Sequence, residues 1–310
     1  MKEEKIRNLK ADSEYHIPVL LHESIEGLAI KADGVYVDAT LGGAGHTKAI
    51  LQKLGENGRL LAFDQDEDAL KNAPTDKRLT LIQANFSEMQ RFLRLHKAIP
   101  VDGILADLGV SSWQFDTAER GFSYRFEGPL DMRMNRLAGK TAADILNEYD
   151  AEKLQEIFSR YGEVRNSKTL AQAIVEARNV KPFEMIADLK AVTEKTSKGG
   201  LMKYLSQVFQ AIRIEVNDEL GALKTLLQQS TEVLKPGGRL AIITFHSLED
   251  RLVKNYIRNG NFEDEPEKDF FGKFELKYKA INKKPVEASE EEVRRNPRAR
   301  SAKLRIAEKK

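Results

Sequence analysis

The chain contains no cysteine in its 310 residues. Disulfides, thiolate-bound zinc and a cysteine nucleophile are therefore excluded. No window approaches the ~20 consecutive apolar residues of a membrane span. The opening residues, Met-Lys-Glu-Glu-Lys, lack the apolar stretch of a signal peptide. A soluble, cytoplasmic protein with no membrane partner is the expectation. A dominant charge is missing as well. The net charge is only +2, so affinity for nucleic acid has to come from local patches. Internal repeats and a Gly-x-Gly-x-x-Gly string are absent, and the latter is the fingerprint of dinucleotide binding. What is present is ample core material. Hydrophobic residues make up 41%, and the length suits one large domain or two modest ones.

Five apolar runs, at 34–39, 59–63, 79–83, 101–106 and 239–245, have the character of buried parallel strands. Segments of helical length (47–54, 67–73 and 86–96) separate the first four, which predicts βαβ units with right-handed crossovers. Two later runs, 274–280 and 303–307, are candidates for a closing strand pair. Between 119 and 200 the rhythm breaks. Leu154, Ile157, Phe158 and Tyr161 there follow the i, i+3, i+4, i+7 spacing of a helix, and Leu170, Ile174 and Ala177 repeat the stripe. Thr141 and Asn166 are placed to cap helices. The division expected is a sheet domain at 1–118 and 205–310, with an all-helical domain inserted at 119–204.

Asp38-Ala39-Thr40-Leu41-Gly42-Gly43-Ala44-Gly45-His46 follows the first strand and opens a helix. Small residues allow a tight turn and close approach of a ligand, which in open α/β sheets sits at the carboxyl ends of the strands. The second strand ends in Asp64, placed to accept hydrogen bonds from ribose hydroxyls. The third ends in Asn85-Phe86, where an aromatic ring suits adenine. Taken singly, each residue has an ordinary structural reading: a capping turn, a solvated carboxylate, a core ring.

Longer phrases carry a resemblance. They are Pro18 to Leu21, Asp38 to His46, Asp102 to Ser112, Glu119 to Ser123, Pro129 to Met134, Phe209 to Ile214, Phe245 to Arg251 and Asn296 to Ser301. In these the chain resembles, from His16 to Glu308, the ribosomal RNA small-subunit methyltransferase H family, which methylates N4 of a cytosine in the decoding centre of 16S rRNA. The resemblance implies a Rossmann-like class I α/β methyltransferase sheet with an inserted all-helical domain that recognises substrate. It implies S-adenosylmethionine as cofactor and the small ribosomal subunit as partner. Carried over residue by residue, the cofactor contacts fall on Ala44, Gly45, His46, Asp64, Phe86, Asp107 and Gln114. No metal site is expected. The segment Leu234-Lys235-Pro236-Gly237-Gly238-Arg239-Leu240, a helix end followed by a turn into a strand, is common before the fifth strand of methyltransferases. Two departures stand out: Trp113 replaces a usual proline, and the stretch after Asn259 is shorter than in many relatives.

Methyl transfer from a sulfonium is an in-line displacement that asks mainly for positioning and electrostatics. Asp107, at the end of the fourth strand, suits either an acceptor for the amino hydrogens of cytosine or a cofactor contact; the sequence leaves both open. The missing cysteine closes the usual adduct route to carbon-5 methylation. His246 and Asp250 lie just past the fifth strand, where His246 is a candidate substrate or catalytic residue or else a satisfied structural one. Glu249, Asp250 and Arg251 equally read as a solvated helix start. Asp131 and Arg133 read as an ion pair bracing the insertion. Trp113 and Phe115 suit stacking on an extruded base, or core packing. Between 294 and 305 six basic residues occur with no acid. Of these Arg294 and Arg295, with Arg298 and Arg300, are the candidate RNA contacts, against a charge-guarded edge strand. Three other readings stay open: a methyltransferase acting on DNA or another RNA, a nucleotide-dependent oxidoreductase, and a non-catalytic RNA-binding assembly factor.

Overall fold

The computed structural model describes residues 18–266 and 276–310. His16, where the resemblance starts, and the first part of the 274–280 run lie outside the described residues. The described chain falls into two compact units, Met1–Gly109 with Ala222–Lys310, and Val110–Gly221.

The first unit is built on one sheet. Its strands are β1 (Val35–Asp38), β2 (Arg59–Asp64), β3 (Leu79–Gln83), β4 (Val101–Asp107), β5 (Leu234–Thr244), β6 (Tyr278–Ala280), β7 (Val286–Glu287) and β8 (Lys303–Lys309). They run in the order β3-β2-β1-β4-β5-β8-β6, with β7 also on β8. Strands β1 to β5 are mutually parallel, and β8 runs antiparallel to both β5 and β6. Strand order reverses between β1 and β4, which makes the carboxyl ends of these strands the place for a ligand.

Alternation along the strands divides the core in two. Leu61, Phe63, Ile104, Ala106, Leu240 and Ile242 face one layer, with Met89, Leu93, Leu226, Val253 and Tyr256 from helices Met89–Leu95, Glu219–Val233 and Ser247–Asn259. Leu60, Leu105, Ala241 and Ile243 face the other, with Leu28, Ile50 and Leu51 from helices Leu21–Leu28 and Gly45–Lys53. This is the period of two that buries both faces of a parallel sheet. A fully buried Phe63 or Leu240 contributes about 1.5–3 kcal/mol each.

β5 starts five residues earlier than its apolar run. Val101 pairs with Leu234 but Gly103 pairs with Arg239, so Lys235 to Gly238 bulge out between them. Pro236 donates no ladder bond, and Gly237 takes φ 77°, open to glycine without strain. The Lys235 ammonium meets the buried Asp102 carboxylate, which also receives the Val35 amide at 3.0 Å.

The second unit is helical: Ser112–Asp116, Ala142–Glu148, Ala151–Arg160, Ser167–Val180, Ile186–Thr196 and Leu201–Asn217. Its limits are wider than the 119–204 drawn from the sequence. Tyr204, Leu205, Val208, Phe209 and Ile212 bury into the same core as Leu154, Phe158 and Leu170, so the long helix to Asn217 belongs with the helices before it. Asn217 fastens that helix, accepting the Met134 amide and donating to the Met132 carbonyl, each at 2.8 Å. Thr141 caps its helix reciprocally with Asp144. Asn166 precedes a helix without capping it; its side-chain amide donates to the Thr196 carbonyl at 2.9 Å instead. Asp131 and Arg133 form the expected ion pair, at 2.8 and 2.9 Å. Among the described residues, no helix is long and apolar enough to cross a membrane.

Candidate active site

Three carboxylates end three neighbouring strands: Asp38 on β1, Asp64 on β2 and Asp107 on β4. The loop after β1 is fixed from below. The Ala39 amide donates to the Leu105 carbonyl and the Leu41 amide to that of Phe63, both at 2.8 Å. Asp38 is fully buried and holds the loop from within, accepting the Thr40 amide at 3.1 Å and the Thr47 hydroxyl at 2.7 Å. Burial pushes its carboxyl up to about 7, against those two hydrogen bonds.

The turn itself is tight. Gly42 has φ 48°, and Ala44, fully buried, has φ 61°, a left-handed conformation that costs a residue with a Cβ. Gly45 opens the helix. A Cβ there would sit 2.4 Å from Pro18 Cγ, so the 18–20 segment lies directly on the loop. Asp64 accepts the Gly42 amide on Oδ2 and the Asp66 amide on Oδ1, each at 2.9 Å. The Gln65 amide bonds to it as well, and a carboxylate of about four acceptor sites keeps room for a ligand. Burial raises this carboxyl to about 6, partly offset by those amides. Asn85 caps the short 3-10 turn Phe86–Glu88 and donates to the Gln65 side chain at 3.0 Å, tying the ends of β2 and β3 together. Phe86 is half-buried against the core.

His46 and Asp107 face each other, with Nδ1 3.7 Å from Oδ2. His46 Nε2 lies 3.2 Å from the Val19 carbonyl, which requires the proton on Nε2 and leaves Nδ1 as an acceptor. Burial lowers His46 to about 4, so the ring is neutral near pH 7. The Asp107 amide donates to the Thr40 hydroxyl at 2.7 Å. A quarter of the Asp107 side chain is exposed, yet its Oδ1 is covered and has no hydrogen-bond partner. Burial first, then the charges of Asp38 and Glu249, raise this carboxyl well above its ordinary value. Buried polar atoms are rarely left unpaired, so an orphan at a strand end marks a place for a ligand donor. An orphaned acceptor, a ribose-ready carboxylate and a turn of small residues together fit an adenosyl cofactor.

Glu249 is the residue the sequence concealed. Its charge run reads as solvated, but the side chain is buried and accepts the Phe245 amide at 2.8 Å and the His246 amide at 3.3 Å. His246 answers it, with Nδ1 receiving the Glu249 amide at 3.4 Å and Nε2 lying 3.2 Å from the carboxylate. This reciprocal cap starts helix Ser247–Asn259. Asp250 turns to β8 and grips Arg305 through two hydrogen bonds of 2.6 and 3.0 Å.

Gln114 lies in the helical unit, where its Oε1 accepts the Ser111 amide at 3.0 Å in a capping box. In that unit the Arg120 guanidinium, only 1% exposed, sits 5.2 Å from the Trp113 ring and 5.8 Å from that of Phe122. Phe115 packs against the helical core.

The basic tail is partly neutralised. Helical spacing brings Glu290 to Arg294 and Glu291 to Arg295, both at 3.3 Å. Lys303 and Arg305 share Asp250. Arg298 and Arg300 are exposed on the 3-10 turn Pro297–Ser301. On the same short helix as Arg294, Glu292 accepts the Leu20 amide at 2.8 Å and so anchors the turn that lies on the cofactor loop.

Residues 13–310 match the model of the MraW methylase family. The chain is 55% identical to the ribosomal RNA small subunit methyltransferase H of Parabacteroides distasonis over 300 residues, 96% of this chain and 98% of that one. It is 56% identical to the protein of the same name from Flavobacterium johnsoniae over 297 residues, 96% and 98% of the two chains. Among solved structures, a putative rRNA-methylase from Clostridium thermocellum is similar at a TM-score of 0.42 and 14% identity, covering 95% of this chain and all of that one. With a family match from residue 13 to the last residue and relatives more than half identical, this chain belongs to the MraW methylase family.

Proposed function

We propose that this methyltransferase uses S-adenosylmethionine to methylate the N4 amino group of a cytidine in the decoding centre of 16S rRNA. The orphaned Oδ1 of Asp107, among three strand-end carboxylates, is the observation that carries this reading. The relatives' shared name supports ribosomal RNA of the small subunit as the substrate. In this reading Asp64 holds the ribose hydroxyls, Phe86 lies by the adenine, and Ala44, Gly45, His46 and Gln114 complete the cofactor contacts. The helical unit recognises the substrate, and the exposed Arg298 and Arg300, with the loosely paired Arg294 and Arg295, meet RNA phosphates. The working compartment is that of the ribosome, the cytoplasm.

Bound S-adenosylmethionine supplies a methyl group already activated by its sulfonium. The chain's task is to present a poor nucleophile, since the N4 lone pair of cytosine is delocalised into the ring. Asp107 accepts a hydrogen bond from the amino group, turns the lone pair toward the methyl carbon, and takes the proton that N4 must lose. Its raised pKa makes it a stronger base than an ordinary aspartate. Glu249, held by His246, contributes by keeping negative charge behind it. His246 supports Glu249 through Nδ1, and its buried Nε2, which has no hydrogen-bond partner, is in this reading the atom that meets the substrate. Without cysteine, the carbon-5 adduct route is closed.

Asp107→Asn keeps the shape and one acceptor oxygen but loses the base. Single-turnover methylation of purified small subunits should fall by about 10²-fold or more, with S-adenosylmethionine affinity little changed. The wild-type rate should rise with pH as Asp107 loses its proton. A parallel loss of affinity and rate, rescued by saturating cofactor, would make Asp107 a cofactor grip and remove the base.

A further inference from the structure

We propose that a groove at the β6 edge of the sheet, outside the strand-end site, binds the phosphate backbone of the RNA substrate. The proposal rests on the reading of RNA as that substrate. The groove is a cavity of about 480 Å³ floored by the buried Tyr278 and bordered by Lys254, Arg258, Lys279, Lys283 and Lys310. Lys254 and Arg258 stand one turn apart on helix Ser247–Asn259, while Lys279 lies in β6, Lys283 just beyond it, and Lys310 just past β8. Lys279 and Lys283 belong to the lysine-rich stretch 277–284, whereas Lys254, Arg258 and Lys310 are remote from it in sequence. Only the pairing of β6 with β8 and the helix packed over them bring the five together.

Three observations point to an anionic polymer. First, no acidic side chain lines the groove among the described residues. Second, two acids on the elements that build the groove are engaged elsewhere. Glu308, opposite Lys279 in the ladder, pairs with Arg239 at 2.9 Å, and Asp250 is held by Arg305. Third, the sequence's own basic cluster is substantially ion-paired, whereas these five cations are in none of the ion pairs among described residues. Cations brought together without partners raise the local positive potential, which draws an anion to the surface. The floor between the cations is apolar, with Ile257, Leu276 and Ala280 beside Tyr278, and Asn282 is spent on the Ile306 amide and the Leu304 carbonyl, so the charged rim is what meets the phosphates.

The placement extends the footprint. Lys303 of β8 lies beside Thr244 at the carboxyl end of β5, and Lys309 lies beside Tyr278. The groove runs along β8 from Arg305, two residues past Lys303, to Lys310, seven residues past it, or about 7 to 23 Å at ~3.3 Å per residue. RNA whose target base is at the strand-end site therefore meets a second set of phosphate contacts some nucleotides away. Such contacts fix orientation and carry no sequence information.

The test compares the wild type with a triple variant, Lys254→Ala, Arg258→Ala and Lys283→Ala, for binding to small subunits from cells lacking this methyltransferase. The dissociation constant should rise about tenfold or more near 0.1 M salt. The slope of log affinity against log salt should flatten by about two units for three lost phosphate contacts, at ~0.7–0.9 each. S-adenosylmethionine affinity by calorimetry should stay within about twofold, and a Lys254→Arg, Lys283→Arg variant should bind as the wild type does. An unchanged affinity and slope in the folded triple variant overturns the groove. So does a loss confined to polyglutamate, which would assign the surface to an acidic protein. If the wild type methylates subunits while the triple variant binds them normally, the groove alone fails. If the wild type neither binds nor methylates them, the functional reading fails and takes the groove with it.

Discussion

Asp64 receives the Gly42, Gln65 and Asp66 amides and keeps acceptor capacity for the ribose. Losing charge-assisted hydrogen bonds costs about 1.5–3 kcal/mol. Asp64→Ala should therefore weaken S-adenosylmethionine at least about tenfold in calorimetry, since ~1.4 kcal/mol is a factor of ten. The pH dependence has a definite sign. Burial pushes the carboxyl up to about 6, and the ionised form is the better acceptor for the ribose. Affinity should thus fall as pH drops below about 6, and in Asp64→Asn that fall should vanish. Equal affinity in wild type and Asp64→Ala removes the ribose assignment. At this scale the sequence showed that Asp64 and Asp107 end their strands, because each follows an apolar run, while Asp38 lay inside the 34–39 run and ends β1 one residue short of it. It did not show their states. That Asp107 Oδ1 is orphaned, or that Glu249 is buried, depends on neighbours remote in the chain.

The 18–20 turn shows how one element supports another. Leu20 is buried with φ 51° and donates its amide to Glu292, while the Val19 carbonyl meets His46 and Pro18 lies against Gly45. Glu292→Ala leaves a buried amide unsatisfied, at a cost of about 1–3 kcal/mol. Urea unfolding should register that loss, and Glu292→Gln, which keeps an acceptor oxygen, should recover most of it. If the alanine variant unfolds with the wild type, the C-terminal segment does not hold this turn. Elements of strong periodicity were legible: β2 and β3 start where their apolar runs start, and the 154–161 stripe is helical. β7 was not, because two residues carry no alternation. The early part of β5 was hidden by Lys235-Pro236-Gly237-Gly238, which reads as a turn and is a bulge inside the strand. Asn166 failed as a cap because the Thr196 carbonyl competes for its side chain.

Over the whole molecule, a net charge of +2 says little about where charge acts. The basic run at the C-terminal end was visible in the sequence, but helix spacing and Asp250 neutralise much of it. The β6 groove was invisible because its cations meet only in the fold. The helical unit was legible as a break in strand rhythm, while its end near Gly221 was not, because Leu201–Asn217 is amphipathic whichever unit it joins. The central claim concerns the bond that this molecule makes. Small subunits from cells lacking the enzyme, incubated with it and S-adenosylmethionine, then digested and read by mass spectrometry, should yield N4-methylcytidine from a decoding-centre fragment of 16S rRNA. Only 5-methylcytidine, or no methylated cytidine under conditions that support turnover, would contradict the account.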